Sequence, residues 1–304
     1  MSADRVALFE ADIAASPSAL AALLDTWVAP ALRARARVVF IGLGSSRFAA
    51  LIVEAQVRAA GLTAWVEYAS TTAPTVPAED LVVVAISASG RTREVLDAAE
   101  RHQGLSLVMA VTNDPASPLA ALADHVVPLH AGEETAGIAA RTFRATIAAL
   151  ALLTGVASVA SLRPVVEALA DRLATSDAWC PPIVDALDRA PSIDVIADAS
   201  VLGLAEQAAL MLREAPRLSA RAYDSGDWLH TGVYMAMPGH RVLLYPGAAT
   251  DDEMIDTVTR RGGLVATVAP AGGPVIARAI VGSVVAERVA ADLWRRTSAH
   301  DKMP

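Results

Sequence analysis

The chain has 304 residues, of which 54% are apolar but only 4% aromatic, and it carries a formal net charge of −8. That length suits two domains of about 150 residues each, and the acidic balance, with no Lys/Arg-rich block, argues against a nucleic-acid partner. The single cysteine, Cys180, excludes a disulfide framework within the chain, and beside Pro181 and Pro182 it reads as structural rather than nucleophilic.

The first twenty residues are acidic and amphipathic, and lack the basic start and apolar core of a signal peptide. No uninterrupted apolar run reaches the ~18 residues of a membrane span; residues 147–162 come nearest and are broken by Thr154, Gly155 and serines. These features imply a cytoplasmic chain with no membrane partner.

In chain order, an N-terminal helical segment occupies residues 1–37. Strands are then expected at Val38–Ile41, Ala64–Tyr68, Leu81–Ile86, Leu107–Val111 and His125–Val127, with helices over Phe48–Ala60, Thr92–Arg101 and Thr142–Leu153. Continuous apolar strands alternating with helices predict an α/β fold, in which a parallel sheet is covered on both faces. This first domain spans 38–155. Residues 156–190 read as a helix and connector, with Pro181 and Pro182 at a helix start or boundary, and a second domain spans 191–304.

The second half repeats the first weakly. With one fixed offset Ser45 falls on Ser200, Arg58 on Arg213, Tyr68 on Tyr223 and Ser70 on Ser225; further on, Glu94 meets Glu253 and Asp97 meets Asp256. The same order of strand, loop and helix in both halves implies two related α/β domains. The copies differ after the third strand. The first carries Ser87, Ser89 and Thr92, and the second Pro246, Ala248 and Asp251. An anion is favoured at the first loop and repelled by Asp251 and Asp252 at the second, so one such loop per chain is expected.

A strand-to-helix junction at the carboxyl end of a parallel sheet is a default ligand position. Unpaired N–H groups at the helix start, the Ser and Thr hydroxyls and the close backbone approach allowed by Gly90 make a phosphate cradle that needs no lysine. The plainer reading is that Ser89 or Thr92 caps its helix. "GLGSS" (42–46) supplies a second such loop. It is not a dinucleotide fingerprint, because Arg47 stands where the third glycine belongs, and an oxidoreductase is the weakest of the functions considered. No metal or other cofactor is implied.

"GLGSS" followed by "ISASGRTREV" resembles the sugar isomerase (SIS) domain. Two such doubly wound parallel-sheet domains in tandem resemble the isomerase portion of glucosamine-6-phosphate synthase. The opening "FEADIAASPSAL" and "GEETAGIAARTFRATI" (132–147) extend the likeness to most of the chain. The resemblance implies that Ser45, Ser46, Ser87, Ser89 and Thr92 hold a sugar phosphate, with Gly44, Gly90, Arg141 and Gln207 as further substrate-site candidates. It also implies that Glu214 moves a proton between C1 and C2, and that His230, supplied by a neighbouring subunit, opens the sugar ring. Such chemistry needs a base that takes a proton alpha to a carbonyl and returns it next door. The structural alternatives are that Glu214 is a helix-end acid paired with Arg213 or Arg217, and that His230 is a satisfied loop histidine beside Trp228.

The sequence also departs from the family. Leu43 and Ala88 replace a cysteine-like position and a glutamine in the two loops. Gln207 stands for a glutamate, Met211 for a lysine and Arg141 for the lysine of a Thr-Lys pair. "RRTSAHDKMP" ends short of the tail that bears a Schiff-base lysine, Lys302 being the only lysine near it, and no glutaminase domain precedes the first domain. Glutamine-dependent amidation is therefore not expected. The resemblance implies an enzyme that isomerises, deaminates or deglycates a hexose 6-phosphate-like substrate and works as a homodimer with sites near the subunit boundary. The alternative is a non-catalytic phosphosugar sensor; with no DNA-binding segment before residue 38, it would act through a protein partner.

Overall fold

The computed structural model describes residues 2–28 and 37–300; Lys302 lies outside them. Among the described residues the chain forms two compact units, one from Ser16–Glu133 with Arg141–Val166, the other from the remainder. Two helices open the chain where one was expected, α1 (Ser2–Ala14) and α2 (Ser16–Thr26), and they belong to different units.

The unit that contains α2 is built on β1 (Arg37–Gly42), β2 (Ala64–Tyr68), β3 (Leu81–Ile86), β4 (Leu107–Thr112) and β5 (His125–Pro128). All are parallel, in the order β2-β1-β3-β4-β5. Every residue of β3 is buried, whereas the edge strand β2 is mostly half-buried. This is why β3 reads as an unbroken apolar run. The connecting helices are α3 (Gly44–Ala59), α4 (Arg93–His102) and α5 (Pro118–Leu122), followed by α6 (Arg141–Leu153). α3 packs on β1, β2 and α6, while α4 packs on β3 and α5. Right-handed crossovers place α3 and α4 on opposite faces of the sheet. α3 begins at Gly44 rather than Phe48, so Ser45 and Ser46 lie in its first turn and not in a loop.

Next come α7 (Val159–Ala174) and α8 (Ser176–Leu187). Pro181 and Pro182 sit inside α8 instead of starting it. Each forgoes a backbone hydrogen bond; burial of Cys180, Ile183, Val184 and Leu187 along one face carries the helix through them.

The second unit holds β6 (Ile193–Ala197), β7 (Ala220–Asp224), β8 (Arg241–Leu244) and β9 (Leu264–Thr267), parallel in the order β7-β6-β8-β9. α9 (Leu202–Glu214), preceded by the 3-10 turn Ala199–Val201, and α12 (Val275–His300) pack together. α10 (Ser225–Trp228) and α11 (Asp251–Arg260) pack against each other elsewhere in the unit. Beneath α10, the fully buried Asp194 accepts a hydrogen bond from Trp228 Nε1 at 2.9 Å and lies 3.1 Å from His240 Nε2. This polar cluster pins the α10 segment to β6. α1 packs on α12 in the same unit, and Arg288 and Arg295 of α12 both reach Glu10.

Residues 4–26 are long and apolar enough, with a mean hydropathy of 1.4, to meet the length and composition test for a membrane span, a stretch the sequence reading did not single out. A packed core helix meets the same test. Here the stretch breaks at Ala15, and Val6, Phe9, Ile13, Leu20, Leu23 and Leu24 are buried within the protein.

Candidate functional site

In the first sheet, chain order reverses between β1 and β3, which are hydrogen-bonded neighbours with Ile41 opposite Ala85. Loops leaving adjacent parallel strands toward opposite faces open a crevice at their carboxyl ends. Both expected donor segments sit there. At the first, Gly42 leads through Leu43 to Gly44, whose φ of +52° lets the chain turn directly into α3. Ser45 and Ser46 are half-buried in the first turn, where backbone N–H groups have no helical partner. Arg47 follows, donating to Tyr68 Oη at 2.6 Å with its guanidinium 4.0 Å from that ring's centre.

The second segment, Ser87 to Thr92, is more tightly built. Ser87 is only 2% exposed, and its hydroxyl shares a 2.9 Å hydrogen bond with that of Thr92. Thr92 occupies the N-cap position of α4, but its side chain accepts no capping bond. Ser89 is exposed, and its oxygen accepts from Arg91 N at 3.2 Å. Neither hydroxyl is spent capping α4, so the helix start stays open to an acceptor from outside. Gly90 is buried with φ +63°, and a Cβ there would lie 2.0 Å from Ser117 Oγ. Only glycine fits.

The sequence reading missed the residues that buttress this turn. Thr112 Oγ1 and Asn113 N both donate to the Ala88 carbonyl, at 3.1 and 3.0 Å. Ser117 caps α5 by accepting from Ala120 N. Asn113 also reaches Gly132 O and Thr142 Oγ1, and accepts from Ala131 N. The available signal was "TNDPAS", a small polar cluster directly after β4. Arg141 opens α6 and donates to the Glu133 carbonyl beside Gly132.

The remaining candidates are placed differently. Gln207, Met211 and Glu214 share one face of α9. Gln207 is 1% exposed, and its amide nitrogen donates to Ala139 O at 2.9 Å and contacts Met211 Sδ, so its amide is engaged in fixing the 134–140 segment. Asp12 of α1 holds the same segment by accepting from Ala136 N and Thr135 Oγ1. Glu214 makes no ion pair with Arg213, which donates instead to Ala220 O. Burial pushes the Glu214 carboxyl above its ordinary value, opposed by the charges of Arg213 and Arg217. A carboxyl so placed holds a proton more readily than one in water, a property suited to proton transfer. His230 is exposed, and its ring is not the one beside Trp228; His240 stacks there, at 6.4 Å between centroids.

At the corresponding edge of the second sheet the chemistry is inverted. Asp251 Oδ2 accepts from Gly247 N at 2.7 Å and Ala248 N at 2.9 Å. The loop's donors are thus occupied by the chain's own carboxylate, a firmer reason than charge repulsion for that loop to refuse an external anion.

Residues 31–156 match the family model described as the SIS domain. The glutamine–fructose-6-phosphate aminotransferase [isomerizing] of Aeropyrum pernix is 29% identical over 77% of the chain, and the chain spans 41% of that relative's length. The C-terminal domain of glucosamine-fructose-6-phosphate aminotransferase from Francisella tularensis has the same fold at 16% identity, with a TM-score of 0.81 and 96% of each chain covered. So does glucosamine-6-phosphate deaminase from Thermotoga maritima, at 16% identity and a TM-score of 0.78, covering 95% of this chain and 94% of that one. Residues 31–156 thus match the SIS domain, and the chain is similar in sequence to glutamine–fructose-6-phosphate aminotransferase [isomerizing] and in fold to the C-terminal domain of such an enzyme.

Proposed function

We propose that this chain is a phosphosugar enzyme that isomerises, deaminates or deglycates a hexose 6-phosphate-like substrate. The observation that carries the reading is the turn from Ser87 to Thr92, where the hydroxyl at the N-cap of α4 is left uncapped beside a glycine that admits no side chain. Ser45, Ser46, Ser87, Ser89 and Thr92 bind the phosphate through hydroxyl and first-turn N–H donors. Gly44 and Gly90 give those backbones their turn. Arg141 and Arg47 are further cations of the same unit, while Arg91 and Arg93 beside the turn are paired with Asp114 and Asp97. Glu214 moves the proton between C1 and C2, and the raised proton affinity conferred by burial supports that role. His230, exposed and unengaged by Trp228, opens the ring in a partner subunit's site, so the enzyme works as a homodimer in the cytoplasm. The second unit, with strand order β7-β6-β8-β9 matching β2-β1-β3-β4, is a second SIS-type domain that has lost the cradle. The relatives whose names include deamination and amination support an amino-sugar phosphate as substrate.

The test follows C2 proton exchange of a hexose 6-phosphate panel by NMR in heavy water. Exchange that disappears in Glu214→Gln is expected. Binding with no exchange in the wild type would establish the sensor instead. Ser87→Ala with Ser89→Ala should weaken phosphosugar binding by up to a few kcal/mol, since a charge-assisted hydrogen bond contributes about 1.5–3 kcal/mol. Unchanged affinity would remove the phosphate assignment.

A further inference from the structure

A cavity of about 210 Å³ opens at the carboxyl edge of the second sheet, between the turn after β6, the Pro246–Gly247 loop after β8 and the first turns of α12. β6 and β8 are adjacent and chain order reverses between them, so this is the position where such sheets hold ligands. We propose that it is a second ligand site, for an unphosphorylated polyhydroxylated molecule, a free sugar or polyol.

Phosphate is refused because Asp251, 8% exposed, already takes the N–H groups of Gly247 and Ala248. What remains suits hydroxyl groups. Asp198 lines the cavity and uses one oxygen to accept from Ser200 N at 2.8 Å and from the Ser200 hydroxyl, so its second oxygen takes no part in those two bonds. Arg278 lies exposed on the rim as a donor, and the Tyr245 ring with Leu204 and Val268 forms an apolar wall. A few polar groups against an apolar wall is the usual make-up of a small-molecule site.

A further observation points the same way. Gly282 stands in the interior of the 26-residue α12 without a positive φ, where glycine is destabilising relative to alanine. A Cβ there would meet Leu204 Cδ2 at 3.5 Å and the Tyr245 ring at 3.8 Å, ordinary contacts. The backbone does not require glycine, and packing does not forbid a methyl group. Glycine keeps the cavity open.

The experiment uses the full chain, labelled at Leu and Val methyls and at backbone amides, titrated separately with D-glucose, sorbitol, glucose 6-phosphate and inorganic phosphate. D-glucose or sorbitol should shift the Leu204, Val201 and Val268 methyl signals. Gly282→Leu, which fills the cavity, should abolish those shifts, and Ser200→Ala, a milder change, should weaken binding about tenfold. Inorganic phosphate should leave the Gly247 and Ala248 amides unmoved in the wild type and shift them in Asp251→Ala. The proposal is overturned if neither neutral probe moves the wild-type methyls, if the shifts survive in Gly282→Leu, if Ser200→Ala binds the neutral probes as tightly as the wild type, or if inorganic phosphate moves the Gly247 and Ala248 amides in the wild type or fails to move them in Asp251→Ala. Glucose 6-phosphate is read at the Ser89 and Gly90 amides in the same spectra, so failure of the first site is seen separately.

Discussion

Replacing Gly90 with alanine should damage the cradle and the unit around it by a calculable amount. At φ +63° the new residue sits in the left-handed region, at about 1–2 kcal/mol. Its Cβ would also lie 2.0 Å from Ser117 Oγ and 2.3 Å from Ser117 Cβ, so Ser117 must move. Movement there breaks the cap in which Ser117 accepts from Ala120 N at 3.3 Å, a loss of about 0.5–2 kcal/mol. Together the two effects come to about 1.5–4 kcal/mol. Urea unfolding measures it as a lower midpoint at unchanged slope. Ser117→Gly alone loses the cap but clears space, so the double variant should lose less than the two single variants combined. A wild-type midpoint for Gly90→Ala, or strict additivity in the double variant, would refute the contact on which the cradle argument stands.

Glu214 adds a pH signature. Burial raises its folded pKa above the ordinary value. The folded state therefore keeps the proton to higher pH than the unfolded chain does, and stability falls as pH rises from that ordinary value through the raised one. Glu214→Gln should flatten that part of the urea-midpoint profile; identical profiles would remove Glu214 as a perturbed acid. Cys180 should be inert. Burial and the nearby Asp292 push its thiol up to about 12, so a disulfide reagent at neutral pH should label it only after unfolding, and rapid labelling of the native protein would contradict the packing of α8 on α12.

The strands were legible because β3 is buried on both faces and reads as an unbroken apolar run. Their order in the sheet was not, since parallel neighbours are chosen by crossovers that no local residue encodes. The donor-rich turn stood out by composition, but the uncapped state of Thr92 needed coordinates, because a threonine at a helix start is more simply read as a cap. Ser45 and Ser46 read as loop residues; they are helical because Gly44 turns the chain sooner than the first apolar helical residue suggests. Pro181 and Pro182 misled for the opposite reason: local geometry marked a boundary that burial of one face overrode. Gln207 stands where the resemblance expects a glutamate, and its contact with Ala139, 68 residues away in sequence, could not be seen from spacing.

Asp251 makes the two loops respond differently to their surroundings. Its carboxylate is a tethered anion whose local concentration never changes, so the second loop keeps one shape whatever the solution contains. The first loop has no such resident, and the phosphosugar proposed to bind there would stabilise it by RT ln(1 + [L]/Kd). Inorganic phosphate should therefore broaden or shift amide signals at Ser89 and Gly90 while leaving those of Gly247 and Ala248 in place, each loop serving as the control for the other.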